Sequence, residues 1–548
     1  MRLAPADPTS PSWRLDALLL VLCFGAFYLF ALGRAPLGNP DEGRYAEIPR
    51  EMVASGDWVT PRLNGVNYFE KPPLVYWAVG AAITVFGRNE WAVRLVAVFF
   101  ALKGIRITYV AGRALYGRDA GIWAAVVLGT SALYFALGHI PLLDMAVAVL
   151  MSAALFYFLL GVREPPGTRR RWLFYGFYAC AALATLTKGP IGFMVTGAVM
   201  FLWLLVFNQW GRLRPFYLPT GLLLFLAVAA PWHLLVAARN PSWAHFYFIH
   251  ENWERFTTTE HGRYGPWWYF IPVVLLGFFP WTGFLWSSSR QALAGGWARR
   301  RENADAWFLA TWAVFIFLFF SKSGSKLIPY ILPVFPPLAV LIGAQLASAQ
   351  AKEWRIGLGV FRILCGLLAV AALVAVLKPG MIREAGAAAA LRPYAYAIAA
   401  ILLVGGILTS GRAGMVATAS LFLGTLVLAE PQIPMRSTKP LALQVAALAA
   451  PGDRVCHYHE FFHDFTFYAN RTVDVVGFQG ELEPENDPSA PASGRFMTEA
   501  DFRRHWDGPS RVFAVARKSD IRELFADPAF HYHLLGETRG HYLFSNRP

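Results

Sequence analysis

Residues 17–32 read ALLLVLCFGAFYLFAL, and residues 39–45, a few positions further on, read NPDEGRY. The first string is uncharged and close to the length that crosses the ~30 Å hydrocarbon layer of a bilayer. The second places two acids, an arginine and a tyrosine where the chain would emerge from that layer. Uncharged apolar runs recur at Phe270–Phe284 and Ile398–Leu408. The chain has 548 residues, 56% hydrophobic and only 15% charged, against about 25% charged in soluble domains. A soluble protein with buried helices would not repeat such runs so often. The expected fold class is therefore a polytopic α-helical membrane protein.

Arg14 precedes the first run and no small-residue cleavage site follows it, so the run reads as a retained helix. The net charge of +14 does not call for nucleic acid. In a membrane protein, basic residues gather in cytoplasmic loops, and the remainder serve anionic lipids or phosphates. Arg163 with Arg169–Arg171, Arg212 with Arg214, and Arg299–Arg301 are placed in the cytoplasm with the N-terminus. Working outward gives about thirteen spans at helix length, near 15–33, 91–112, 119–138, 142–161, 172–187, 189–208, 216–237, 267–287, 304–320, 327–347, 358–377, 394–411 and 414–430. Leu74–Phe86 is short and follows Pro72-Pro73, so it reads as a juxtamembrane or re-entrant helix.

The expected organisation is a membrane domain over 1–430 and a small soluble α/β domain over 431–548. The membrane domain has outer loops at 34–90 and 238–266. In the tail, 454–458, 472–476 and 511–515 read as strands and 518–525 as a helix. Cys23, Cys180, Cys365 and Cys456 are too scattered for a disulfide framework. No Gly-rich phosphate loop is present, so no nucleotide cofactor is expected.

Several polar groups fall on the outer side of this topology. Asp41 and Glu42 are candidate catalytic carboxylates, although acids in a first helical turn also complement the helix dipole. Lys71, in Tyr68-Phe69-Glu70-Lys71-Pro72-Pro73, suits a phosphate oxygen, and Glu70 suits a metal or Lys71 itself. Asp144 is an ionisable group flanked by apolar residues, a functional candidate by default. Lys188, Arg255, Lys326 and Tyr330 add cations and a phenol. His250 rises as a metal ligand only if Glu70 meets it. Cys456-His457-Tyr458-His459 with His463-Asp464 matches no standard zinc spacing, and surface histidines are the expectation there. Cations at that face would neutralise a phosphate leaving group, and outside the cytoplasm the driving bond must be a lipid phosphodiester.

The Asp41-Glu42 pair, Tyr68–Leu74, Asp144 after a proline, Thr187-Lys188-Gly189-Pro190 and Ser325–Pro333 together resemble the protein O-mannosyltransferase-like glycosyltransferases of the GT-C fold. Within them they resemble the bacterial undecaprenyl-phosphate aminoarabinose transferases. His261-Gly262-Arg263-Tyr264 and Pro266-Trp267-Trp268-Tyr269 point to the lipid A branch. The resemblance implies transfer of 4-amino-4-deoxy-L-arabinose from undecaprenyl phosphate to a lipid A phosphate. The reaction would run on the periplasmic side of the inner membrane, by a chain acting as a monomer, and would confer polymyxin resistance. It implies Asp41 as the catalytic carboxylate and Glu70 with His250 as holders of a divalent metal. Arg44, Tyr45, Tyr68, Lys71, Lys188, Arg255 and Tyr330 would line the carrier-phosphate pocket. Tyr269 stands where an oligosaccharyltransferase would carry Asp. The alternatives are a transferase of another prenyl-linked sugar or with a protein acceptor, and a transporter of lipid-linked sugars. The last fits less well, since transporters show repeats and midplane sites in broken helices.

Overall fold

The computed structural model describes residues 12–248, 265–348, 351–378, 380–382, 385–433, 437–478, 480–482 and 494–548. By packing, the chain divides into two compact units. One comprises Met1–Leu32, Arg94–His233 and His250–Ile433; the other comprises Gly33–Val93, Leu234–Ile249 and Pro434–Pro548.

The first unit is helical. Each of the thirteen expected spans coincides with helix, but not all as one rod. Among the described residues, nine helices are long and apolar enough to cross a membrane, or ten if one bent pair counts as a single span. That pair, Phe270–Gly277 and Thr282–Ala292, bends by 109° across Pro280, which cannot continue the helical hydrogen-bond ladder. The expected span at 119–138 is two helices, Arg118–Thr130 and Ala132–Leu137. They part at Ser131, and the Ala132 N–H is taken by the Phe279 carbonyl instead of the preceding turn. Thr168–Lys188 carries Arg169–Arg171 in its first turn and falls outside the apolar set, as does the 17-residue Ile191–Phe207. Leu15, Leu18, Leu19 and Leu22 of the first helix are half-exposed or more. An apolar face turned outward is what a lipid-facing helix presents, and the protein is a multi-pass membrane protein.

The second unit joins residues 33–93 and 234–249 with the tail. Strands β1 (Arg62–Leu63) and β2 (Val66–Asn67) form a hairpin closed by Asn64-Gly65, both at positive φ, the conformation a two-residue hairpin turn requires. Asn64 exchanges two hydrogen bonds with the Val473 backbone, at 2.8 and 2.9 Å. Leu74–Phe86 is a single short helix, with the boundaries expected.

The tail holds a six-stranded sheet in the order β5-β4-β3-β6-β8-β7. Its strands are β3 (Arg454–Tyr458), β4 (Asp474–Val476), β5 (Phe496–Met497), β6 (Val512–Arg517), β7 (His533–Glu537) and β8 (His541–Ser545). The first four pair in parallel, and β8 and β7 add antiparallel. Cys456, Tyr458, Ala514 and Ala516 face a core with Phe502, Trp506, Phe530 and Phe544. The helix expected at 518–525 is shorter and later, Arg522–Ala526.

Candidate active site

The helix Asp41–Ser55 begins with both acids in its first turn, where the N-terminal dipole favours them, and ends at Gly56 with φ 69°. Glu42 is spent locally: its carboxylate accepts the Gly38 N–H at 2.7 Å, and the residue is buried. Asp41 is different. Its side chain is 58% exposed and faces the buried Arg44 guanidinium at 3.5 Å. Tyr45 is buried and stacks on Tyr76 with centroids 6.1 Å apart. Tyr68 is buried and its N–H donates to the Pro61 carbonyl. Lys71 donates to the Glu70 carbonyl at 2.9 Å, with its ammonium 3.9 Å from the Glu70 carboxylate.

The helical unit carries a second cluster. Asp144 lies in the first turn of Leu143–Arg163, and Lys188 is the last residue of Thr168–Lys188. Each charge complements the dipole of its own helix, and the two form an ion pair. The Lys188 ammonium also stands 4.4 Å from the centre of the Tyr330 ring, close enough for a cation–π contact. Sequence named these three separately; the fold brings them together. Lys326 is buried and donates to the Ser323 carbonyl at 2.6 Å. The neighbouring Ser321 and Ser325 hydroxyls are buried and have no partner among the described residues. An ammonium and two hydroxyls form a donor set suited to a phosphate.

His250 and Arg255 lie outside the described residues. No group of three His, Cys, Asp or Glu side chains capable of holding a metal exists among the described residues. Glu70 lies beside Lys71, with 3.9 Å between carboxylate and ammonium, and its expected co-ligand His250 is one of the residues not described.

The expectation of surface histidines fails at His457 and His463, while His459 is partly exposed and lies 2.7 Å from Glu499. His457 is fully buried on β3, the third strand of six, and His463 is buried on the short helix His463–Ala469. The His457 Nδ1 accepts the Phe462 N–H at 3.2 Å, amid the rings of Phe461, Phe462 and Phe465. Asp464 accepts hydrogen bonds from Asn39, Ser437 and Thr438. Sequence reasoning missed Asn39, Ser437 and Thr438. No local signal could have found the Asn39 contact, whose partners are 425 residues apart.

A family model described as dolichyl-phosphate-mannose-protein mannosyltransferase matches residues 70–234. The crystal structure of ArnT from Cupriavidus metallidurans bound to undecaprenyl phosphate superposes with a TM-score of 0.85 at 30% identity, covering 98% of each chain. This chain belongs to the ArnT family. The family's undecaprenyl phosphate-α-4-amino-4-deoxy-L-arabinose arabinosyl transferase 2 from Sodalis glossinidius is 34% identical over 361 residues, 66% of this chain and 64% of its own length. The corresponding Aeromonas salmonicida transferase is 34% identical over 369 residues, 66% of both chains. The sequence match thus spans just under two thirds of these curated relatives. An oligosaccharyltransferase from Archaeoglobus fulgidus, at 13% identity and a TM-score of 0.50 over 93% of this chain and 70% of its own, shares the fold alone.

Proposed function

We propose that this ArnT-family chain moves 4-amino-4-deoxy-L-arabinose from undecaprenyl phosphate to a lipid A phosphate at the periplasmic face of the inner membrane. The observation that carries this reading is the similarity, over 98% of the chain, to a structure holding undecaprenyl phosphate. A lipid A phosphate oxygen attacks the anomeric carbon of the sugar. The bond from that carbon to the carrier's phosphate oxygen breaks, and undecaprenyl phosphate leaves with the electron pair. Lys188 and Lys326, with Lys71 and Arg255, hold the charge that grows on the leaving phosphate, the group whose stabilisation lowers the barrier most. Asp144 fixes Lys188 through its ion pair. A phosphate acceptor is already anionic near neutral pH, so Asp41 need not act as a strong base. Its exposed carboxylate orients the acceptor or balances positive charge developing at the sugar. Arg44, Tyr45, Tyr68 and Tyr330 shape the carrier side, and Glu70 with His250 is the pair assigned to a divalent cation.

The test is mass spectrometry of lipid A from cells lacking the chain and from cells carrying it. A mass increase of one aminoarabinose per modified phosphate is expected with the wild type and not with Asp41→Asn. Unchanged lipid A in cells holding a folded chain would sink the assignment, and a different sugar mass would redirect it.

A further inference from the structure

Asp41 reaches outward with one weak contact, so its location must come from the residues around it. Those residues are held by the tail. The Leu37 N–H donates to the Tyr468 hydroxyl at 2.8 Å, and that hydroxyl donates to Glu90 at 2.9 Å. The Asn39 amide bonds Asp464 twice: its Nδ2 donates to the carboxylate, and its Oδ1 accepts the Asp464 N–H at 3.0 Å. At Gly43 the backbones touch so closely that a Cβ would lie 2.5 Å from the Asp464 nitrogen. Positions 37, 39 and 43 are thus registered against the single helix His463–Ala469, on both sides of Asp41.

Asp464 is the centre of this registration. It is fully buried, and four donors converge on its carboxylate. Asn39 Nδ2 and the Thr438 hydroxyl reach Oδ1, while the Ser437 hydroxyl and the Thr438 N–H reach Oδ2, the last three at 2.7 Å. That saturates the acceptor capacity of a carboxylate. Burial raises its pKa above the ordinary range while these donors pull it back, so the group is costly to keep unless the network is intact.

We propose that Asp464 of the C-terminal domain is a positioning residue for Asp41, acting through Asn39, and that the tail is thereby part of the catalytic apparatus. This rests on the reading of Asp41 as the reacting carboxylate. Reacting groups need support that locks their geometry, and a displacement of about 1 Å can cost a hundredfold in rate.

The test uses the full-length purified chain with an undecaprenyl-phosphate-linked sugar donor and lipid A. Asp464→Asn turns an amide N–H₂ toward the Asn39 amide, and Asn39→Asp sets two carboxylates against each other. Each single change is expected to lower kcat at least tenfold, leaving donor KM within twofold. The double variant Asn39→Asp/Asp464→Asn re-forms the pairing with donor and acceptor exchanged, and it should recover most of the lost kcat. Thr438→Val removes one donor and is the milder variant should the others fold poorly; a threefold or larger fall in kcat is expected. A second readout needs no turnover. A membrane-impermeant charged thiol reagent is applied to an Asp41→Cys chain, whose labelling rate should shift at least threefold on adding Asp464→Asn and return on adding the exchange. Labelling that follows this pattern while the wild type transfers no sugar would sink the activity assignment and keep the positioning role. The positioning role is overturned if the single variants keep wild-type kcat and labelling. It is overturned equally if the exchange fails to rescue either, or if kcat merely follows loss of folded protein.

Discussion

Around Asp41 the side chain is exposed and the backbone is held; around Asp144 the side chain itself is held. The Asp41 carboxylate has Arg44 at 3.5 Å, while Leu37, Asn39 and Gly43 are fastened to the helix His463–Ala469. The Asp144 carboxylate is paired with Lys188, both side chains about 15% exposed, and Lys188 lies over Tyr330. Two aspartates that look equivalent in sequence, each just outside an apolar run, therefore do different work. One is left largely exposed, and the other is committed to an ion pair with a lysine. The proposed function takes the exposed carboxylate on a fixed backbone as the reacting group and the one buried in an ion pair as its support.

That contrast is most vulnerable at Asp41 itself. Asp41→Asn keeps the shape and removes the charge of an exposed side chain, so the fold should survive and turnover should fall about a hundred- to a thousandfold, the range for losing one electrostatic stabiliser, with the melting temperature unchanged. At the other cluster the effect should be smaller and of another kind. Lys188→Ala is expected to raise donor KM by about tenfold or more, the loss of one charge-assisted contact at ~1.5–3 kcal/mol. Asp144→Asn should also raise donor KM, but by less, because the lysine remains. Combined, the two changes should cost clearly less than the sum of their separate effects, since residues sharing an interaction are not additive. Strict additivity would mean that the ion pair has no part in donor binding.

The smallest effect concerns pH and the tail. Burial, with His463 and His541 nearby, pushes the His457 imidazole well below its ordinary value. The unfolded chain takes up a proton near pH 6.5 that the folded chain refuses. The unfolded state then binds more protons, so stability falls as pH drops below about 6.5, by at most ~1.4 kcal/mol per pH unit. Melting curves of the full chain at pH 7.5 and 5.5 should show this loss, and His457→Phe should reduce the difference between them. An unchanged pH dependence would show that His457 is not held neutral.

The legible part of the fold was what lies along the chain. Apolar runs between charged loops locate the helices, and β3 and β6 were readable as strands close to their observed bounds. The Asn39–Tyr45 and Lys71 motifs stand out because polar residues at a membrane edge are expensive. What stayed hidden depends on distant partners. Asp144 and Lys188 are 44 residues apart, on neighbouring helices, and nothing in either motif names the other. Asp464 beside His463 suggested a ligand cluster, yet its partners are an asparagine, a serine and a threonine. His457 read as a surface residue because its strand's central place depends on β4 and β6, which pair with it from either side. β7 escaped because its residues are largely exposed at a sheet edge, where no apolar alternation marks a strand.

The most direct test of the division between the two aspartates measures donor dissociation constant and single-turnover rate together, in Asp41→Asn and in Asp144→Asn. The expected result is a collapsed rate with unchanged donor affinity in the first, and weakened donor affinity in the second. Full single-turnover rate in Asp41→Asn, or intact donor affinity in Asp144→Asn, would contradict it.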